Sequence, residues 1–333
     1  MRDSSENPVF DIAIAYQKTA ALIAAVRLDI FTAIGSETVS VNKLVARTGA
    51  SSRGLRILCD CLTVLGLLKK DGASYSLTYI ARTFLDESSP FARGKIVDFV
   101  AAPEMIDLFF RDPASYVRNG GSTGLANISP DHPLWVRFAN GMAPFAAKNA
   151  KRVAAHVAAF SNSPHTVLDI AAGHGLYGIE IAKAVPDALI TAVDWASVLA
   201  VAKANAAAAG VIDRFRTVEG DALELDWGCD FDLVILPNFL HHFDMGTCVS
   251  LLRKTKLSLA PDGQALGVEF VPNEDRISPP IPAMFAFWML ATTPAGDAYT
   301  TCELEEMARN AGFRGATTRR LGSAPECLVI FES

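Results

Sequence analysis

Cysteine patterns for zinc or for a disulfide framework are missing from this sequence. Its six cysteines, Cys59, Cys61, Cys229, Cys248, Cys302 and Cys327, form no C-x-x-C pair and no zinc-type spacing. That excludes a thiolate metal site and fits reduced thiols in a cytoplasmic protein. Positive charge is short as well: 30 Lys and Arg stand against 36 Asp and Glu, a net charge of −6. With a pI near 5.6, the chain as a whole has no long-range attraction for phosphate, so a general nucleic-acid binder is not expected. The opening MRDSSENPVFD has no charged-then-apolar signal pattern. The most apolar late run, IPAMFAFWMLA, is bounded by prolines and too short to span a bilayer. Repeats and low-complexity tracts are absent too. What is present is a 333-residue chain, half of it apolar, long enough for two domains and suited to a small-molecule or protein partner.

Residues 9–34 carry Ile12, Ala15, Tyr16, Thr19, Leu22, Ile23 and Val26 at intervals of three and four, the spacing of one or two amphipathic helices. The next stretch, VSVNKLVARTGASSRGLRILCDCLTVLGLLKKDGASYSLT, orders a helix over Asn42–Arg47 and a turn at Thr48-Gly49. A second helix follows, opened by Ser51 or Ser52 as N-cap, then two short strands around Asp71-Gly72. That is the layout of a winged helix. Residues 41–84 hold seven Lys/Arg against two Asp, which raises DNA binding as an alternative to the plainer reading of solvated faces; we favour the plainer one.

Residues 91–160 read as helical, with Trp135, Phe138, Met142 and Phe145 at helical spacing. From Val167 onward the runs TVLDIA, LITAVD, FDLVIL, ALGVEF and CLVIFES alternate with helical segments, the signature of βαβ units and a parallel sheet. The expected organisation is a winged-helix domain over 1–100, a helical linker and pocket segment over 101–160, and a Rossmann-like doubly wound α/β domain over 161–333. The boundary is expected near Ser161–Pro164.

Within VLDIAAGHGLYG, Gly173, Gly175 and Gly178 have the spacing G-x-G-x-x-G, and Asp194 lies 19 residues after Gly175. Such a turn from strand to helix lets a ligand approach the backbone, and by itself it does not say which ligand. In a dinucleotide site a pyrophosphate sits against the helix N-terminus. Asp169, four residues before Gly173, would repel it. The same carboxylate suits S-adenosylmethionine, which carries an ammonium and a sulfonium. Asp194 can accept from ribose hydroxyls in either case. Asp221, in EGDALELDW, offers an acceptor for an adenine amino group, with a turn residue or N-cap as its plain alternative. Three acids on successive strand ends outline one crevice at the carboxyl edge of the sheet.

The order VLDIAAGHG, AVDWASV, EGDAL, LPNFLHHF, GVEF resembles the class I S-adenosylmethionine-dependent O-methyltransferases with an N-terminal winged-helix dimerisation domain. That family includes plant phenolic, acetylserotonin and bacterial polyketide methyltransferases, and the likeness runs through nearly the full chain. It implies a homodimer whose winged helix pairs subunits and helps wall the substrate pocket. It also implies S-adenosyl-L-methionine as cofactor, held by Asp169, Gly173, Gly175, Asp194, Trp195, Asp221 and Ala222. His241, in Leu240-His241-His242-Phe243, matches the family's general base, useful because a phenol of pKa about 10 is neutral at pH 7. Glu269, in GVEF, matches a glutamate that fixes the imidazole tautomer. The substrate, a small aromatic hydroxyl compound, is expected between Trp135, Phe138 and Met142 and, from the late apolar run, Met284 and Trp288; both sets also read as core.

Three positions depart from the plant pattern. A second flanking glutamate falls on Ala298, a common arginine on Tyr299, and a lysine four residues before the base on Pro237. Carbon methylation and loss of methylation therefore stay open. The alternatives are a winged-helix ligand-sensing regulator and a metal-assisted C-methyltransferase using His241 or His242 with Glu269. A nicotinamide oxidoreductase is disfavoured by Asp169. With no H-E-x-x-H-like spacing, no metal is expected, nor is a membrane or nucleic-acid partner.

Overall fold

The early helical spacing becomes three short helices, α1 (Pro8–Ala13), α2 (Ala15–Arg27) and α3 (Ile30–Ile34). The structure, a computed structural model, describes residues 8–332 and divides into two units between Ala101 and Ala102. The first unit continues with β1 (Val39–Ser40), α4 (Val41–Thr48), α5 (Ser52–Val64), β2 (Leu68–Asp71), β3 (Ser74–Leu77), α6 (Tyr79–Phe84) and α7 (Ile96–Val100). Hydroxyl caps start three of these helices: Ser40 accepts from Lys43 N, Ser51 from Gly54 N and Thr78 from Ala81 N. The strands form an antiparallel sheet in the order β1-β3-β2, closing over Phe31, Leu44, Leu55, Leu62 and Tyr75. This is the winged helix.

Its basic residues are largely spoken for. Glu37 pairs with Lys43 and Arg47, and Asp60 pairs with Arg56 and Lys70 while accepting from Tyr75 Oη at 2.7 Å. These pairs spread the local positive charge over carboxylates instead of presenting it as a stripe. The same unit holds one stretch, Pro8–Arg27, long and apolar enough by length and composition to cross a membrane, which the apolar runs singled out above did not include. It is interrupted at Ile14, and Val9, Phe10, Ile12 and Tyr16 are exposed.

The second unit begins with α8 (Pro103–Phe110), α9 (Pro113–Asn119) and α10 (Pro133–Val157). Then alternate β4 (Thr166–Ile170), α11 (Leu176–Ala184), β5 (Leu189–Asp194), α12 (Ala196–Ala208), β6 (Phe215–Glu219), β7 (Phe231–Pro237), α13 (Met245–Ser258) and β8 (Leu259–Glu269). The chain ends with α14 (Pro280–Thr292), α15 (Thr301–Asn310), β9 (Gly315–Arg320) and β10 (Cys327–Glu332). The seven strands lie in the order β6-β5-β4-β7-β8-β10-β9. Strands β4 to β8 are parallel, with both faces covered, which is why they read as unbroken apolar runs. On one face Val167, Ile190 and Leu233 pack under α10, α11 and α12; on the other Leu168, Val234 and Leu236 pack under α13 and α15. Each such fully buried side chain contributes about 1.5–3 kcal/mol.

Two sequence expectations change here. The run CLVIFES, read as one of the parallel strands, is antiparallel to both β8 and β9. Strand β9 was not announced because GATTRR has no apolar run; it is the sheet's edge and shows its arginines to solvent. Nor does the chain divide at Ser161–Pro164. Ala146, Ala150, Val153 and Val157 of α10 belong to the core shared with α11 and α12, so the helical segment is part of the sheet unit.

Candidate active site

At the end of β4, Asp169 is fully buried and its Oδ2 accepts from Gly178 N at 3.1 Å. Burial first, and the charge of Asp194 to a lesser degree, push its pKa up to about 7 against the opposing effect of the Gly178 N–H. Its Oδ1 has no hydrogen-bond partner among the described residues. Because this carboxylate already faces an N–H of the first turn of α11, a pyrophosphate there would meet a negative charge.

The turn needs its glycines. Gly175 has φ 74°, and a Cβ there would lie 2.9 Å from the Ala202 Cβ on α12. At Gly178 a Cβ would lie 2.7 Å from Ile190 Cγ2 and 3.0 Å from Asp169 Oδ2, so any side chain would push the strand and the carboxylate away. Gly173 N donates to Asp194 Oδ2 at 2.8 Å, and Trp195 N to Asp194 Oδ1 at 2.7 Å. Burial raises Asp194 to about 6, the two N–H donors opposing. After β6, Asp221 Oδ1 accepts from Leu223 N at 2.8 Å, so it does serve as a turn residue, one that leaves Oδ2 without a hydrogen bond to the described residues. The carbonyl of the next residue, Ala222, accepts from Trp227 Nε1 at 2.9 Å and Lys254 Nζ at 3.0 Å, which fixes this wall of the crevice.

The other end of the crevice is built from side chains. After β7, Asn238 takes φ 55°, an asparagine-tolerated left-handed turn, and Leu240–His242 form a single turn of 3-10 helix. Phe239 N and Leu240 N both donate to Glu269 Oε1, at 3.1 and 2.9 Å. Glu269 Oε2 lies 2.5 Å from His241 Nδ1, and both side chains are buried. A carboxylate committed as acceptor to two N–H groups holds the imidazole proton on Nδ1 and leaves Nε2 as the free lone pair. His242 lies 4.5 Å from His241, ring centre to ring centre. Burial, then the neighbouring His241, hold its pKa well below the usual histidine value, so it stays neutral.

Residues 108–314 match the family model of the O-methyltransferase domain, and residues 10–87 that of the O-methyltransferase dimerisation domain. The chain belongs to the O-methyltransferase family. Acetylserotonin O-methyltransferase of Mus musculus is 27% identical over 94% of this chain and 84% of its own length. The tetracenomycin polyketide synthesis 8-O-methyl transferase of Streptomyces glaucescens is 24% identical over 97% of this chain and 95% of its own. A solved structure from Nostoc punctiforme, described as that of a candidate O-methyltransferase, is 44% identical with a TM-score of 0.92, covering 97% of this chain and 98% of that one.

In this O-methyltransferase the departures at 298 and 299 have a physical outcome. Ala298 is fully buried and Tyr299 Oη donates to Phe243 O, so His241 has one carboxylate partner, Glu269. Gly296, which the sequence did not single out, presses on the same turn: a Cβ there would lie 2.3 Å from His241 O and 2.9 Å from His242 C. On α14 the residue that meets His241 is Phe285, whose ring stands edge-on at 4.9 Å and stacks on Phe270 at 4.0 Å. Met284, expected at the pocket, is 74% exposed beside Ile281 and Phe287 on the opposite face; the helical period turns it away from its own chain's crevice and brings Phe285 in. Trp288 packs its ring 4.6 Å from Phe109. Trp135, Phe138 and Met142 are half-buried on α10, with Trp135 Nε1 donating to Ser129 O at 3.1 Å.

Among the described residues no three of His, Cys, Asp and Glu gather as a metal-binding group. A cleft of about 580 Å³ between Asn273, Pro279, Thr301, Arg320 and Pro325 contains none of the expected site residues.

Proposed function

We propose that this O-methyltransferase moves a methyl group from S-adenosyl-L-methionine to the hydroxyl of a small aromatic compound, with His241 as general base, and that it works as a homodimer. The observation that carries the reading is the buried His241–Glu269 pair, which follows β7 and ends β8 at the same carboxyl edge of the sheet as Asp169, Asp194 and Asp221. Support for the cofactor comes from its fit. Asp169 keeps a buried, unpartnered oxygen for an ammonium, Asp194 lies beside the glycine turn for the ribose hydroxyls, and Asp221 keeps an oxygen for the adenine amino group, with Trp195 and Ala222 flanking. A related fold, human N-acetylserotonin methyltransferase, was solved with this cofactor, at 23% identity and TM-score 0.85 over 99% of each chain. When bound, the cofactor supplies an electrophilic methyl group on a sulfonium, open to in-line displacement by an electron-rich oxygen.

The chain's own part is positional and basic. Phe270 and Phe285 offer an aromatic wall beside His241, suited to a flat ring. His241 Nε2 takes the hydroxyl proton as the oxygen becomes the nucleophile, and Glu269 stabilises the resulting imidazolium without itself being protonated. The exposed apolar residues Phe10, Ile12 and Tyr16 lie in the stretch matching the dimerisation model, which supports a second copy of the chain as their cover.

Two experiments test the reading together. Calorimetry should show binding of S-adenosylhomocysteine and none of NAD, and labelled cofactor should methylate members of a panel of flavonoids, phenolic acids and polyketide fragments. NAD binding without a response to S-adenosylhomocysteine would refute the cofactor. A monomer on sizing that binds duplex DNA with steep salt dependence would move the assignment to the regulator.

A further inference from the structure

The segment after β6 carries Asp221 and is held from outside by a lysine of α13. Lys254 stands 32 residues beyond Ala222 in the chain, and its Nζ donates to Ala222 O at 3.0 Å and to Leu223 O at 3.2 Å. It donates to Leu225 O as well. An ammonium has three N–H groups, and here each has a backbone carbonyl of residues 222–225 as its acceptor. The same Nζ lies 4.3 Å from the ring centre of Trp227, whose Nε1 donates to Ala222 O at 2.9 Å. Trp227 is buried, so the ammonium rests on a fixed aromatic face while it grips the segment.

That grip reaches the Asp221 carboxylate through one peptide group. The Ala222 carbonyl and the Leu223 N–H belong to the same peptide unit, which is planar. Lys254 and Trp227 fix its oxygen, and its N–H donates to Asp221 Oδ1 at 2.8 Å. With the oxygen anchored the plane cannot turn, and the N–H keeps Oδ1 committed as an acceptor. Oδ2 is then the oxygen left over for a ligand. The rest of the segment adds to the hold: Asp221 O accepts from Glu224 N and Leu225 N at 3.1 and 2.9 Å, and Gly220 N donates to Asp194 O at 3.1 Å. Loss of the donors at Ala222 O frees the peptide to rotate, and the carboxylate with it.

We propose that Lys254 is a positioning residue for recognition of the adenine amino group, acting on Asp221 through the peptide between Ala222 and Leu223. This rests on the methyl-donor reading above, in which Asp221 keeps one oxygen for that amino group. The effect of Lys254 falls on which base the donor carries, and not on the methyl transfer at His241. A brace that only stiffened the fold would weaken every adenosyl compound alike. One that aims a single acceptor changes the discrimination between a base presenting an N–H donor there and a base presenting a carbonyl.

Calorimetry tests this with S-adenosylhomocysteine and S-inosylhomocysteine, in which a carbonyl replaces the adenine amino group. The proteins are the wild type, Lys254→Met, Trp227→Phe, Asp221→Ala and the double variant Lys254→Met/Asp221→Ala, with folding checked by circular dichroism. The wild type should prefer the adenine compound by about tenfold or more. Lys254→Met should bring that preference to within about threefold, close to Asp221→Ala, and the double variant should lose no more than Asp221→Ala alone. Trp227→Phe removes the other donor to Ala222 O and should fall between; it decides the matter if Lys254→Met does not fold. A full wild-type preference in the deciding variant, or an equal loss for both compounds with the preference intact, overturns the proposal. Further loss of preference in the double variant overturns the route through Asp221. A wild type that binds both compounds equally overturns the part given to Asp221, and this inference with it, whereas one that binds neither overturns the methyl-donor reading itself.

Discussion

The two ends of the crevice are built in opposite ways. At the His241 end the Glu269 carboxylate is satisfied: it takes two backbone N–H groups on one oxygen and the imidazole on the other. At the glycine end, Asp169 is buried with its Oδ1 unpaired among the described residues, and Asp169 and Asp194 are pushed up to about 7 and about 6 by burial. A satisfied cluster holds its own side chain still, whereas an unsatisfied one carries a desolvation cost that an outside group can relieve. On the proposed function, the satisfied end carries the chemistry and the unsatisfied one the binding.

The largest way to sharpen that contrast is His241→Ala. It should lower methyl transfer by about 10²–10⁴-fold in a labelled-cofactor assay. Glu269→Gln should fall between it and the wild type, since the amide keeps the backbone contacts but loses the charge that stabilises the imidazolium. A fully active His241→Ala enzyme would mean that proximity alone carries the reaction.

Gly296→Ala comes next. Its methyl group would meet the His241 carbonyl oxygen 2.3 Å away, and a displacement of about 1 Å in a catalytic group costs roughly 10²-fold in rate. Turnover should fall by about that factor while S-adenosylhomocysteine affinity stays at the wild-type level; equal losses in both would show that the two ends are not independent.

The smallest effect is on pH dependence. A cationic ligand prefers ionised Asp169, so its binding lowers that raised pKa and releases a proton when pH is below about 7. Affinity should therefore be greatest above pH 7 and fall by up to about tenfold per unit below it. Asp169→Asn should flatten the profile. Calorimetry in buffers of different ionisation heats measures both the affinity and the released proton.

These ends also differed in how far the sequence could be read. The glycine turn and its acids lie within short motifs, because a strand, a turn and a helix N-terminus are consecutive in the chain, and the winged helix announced itself through its caps and its hairpin. Glu269 lies 28 residues from His241, and the expectation that neighbouring strand ends meet, together with the family's pattern, names it. Gly296 and Phe285 carried no local signal. The antiparallel pairing of β10 with β8 is likewise one that an apolar run does not encode. Gly296 matters through a close approach between distant segments. Met284 and Phe285 are neighbours on one uniformly apolar helix, where only packing decides which faces in.

The division of labour is tested most directly by calorimetry of S-adenosylhomocysteine with the wild type, Asp194→Ala and His241→Ala side by side. The account predicts that Asp194→Ala loses about 1.5–3 kcal/mol for each charge-assisted hydrogen bond removed, while His241→Ala binds as the wild type does. Loss of affinity in His241→Ala equal to that in Asp194→Ala would contradict it.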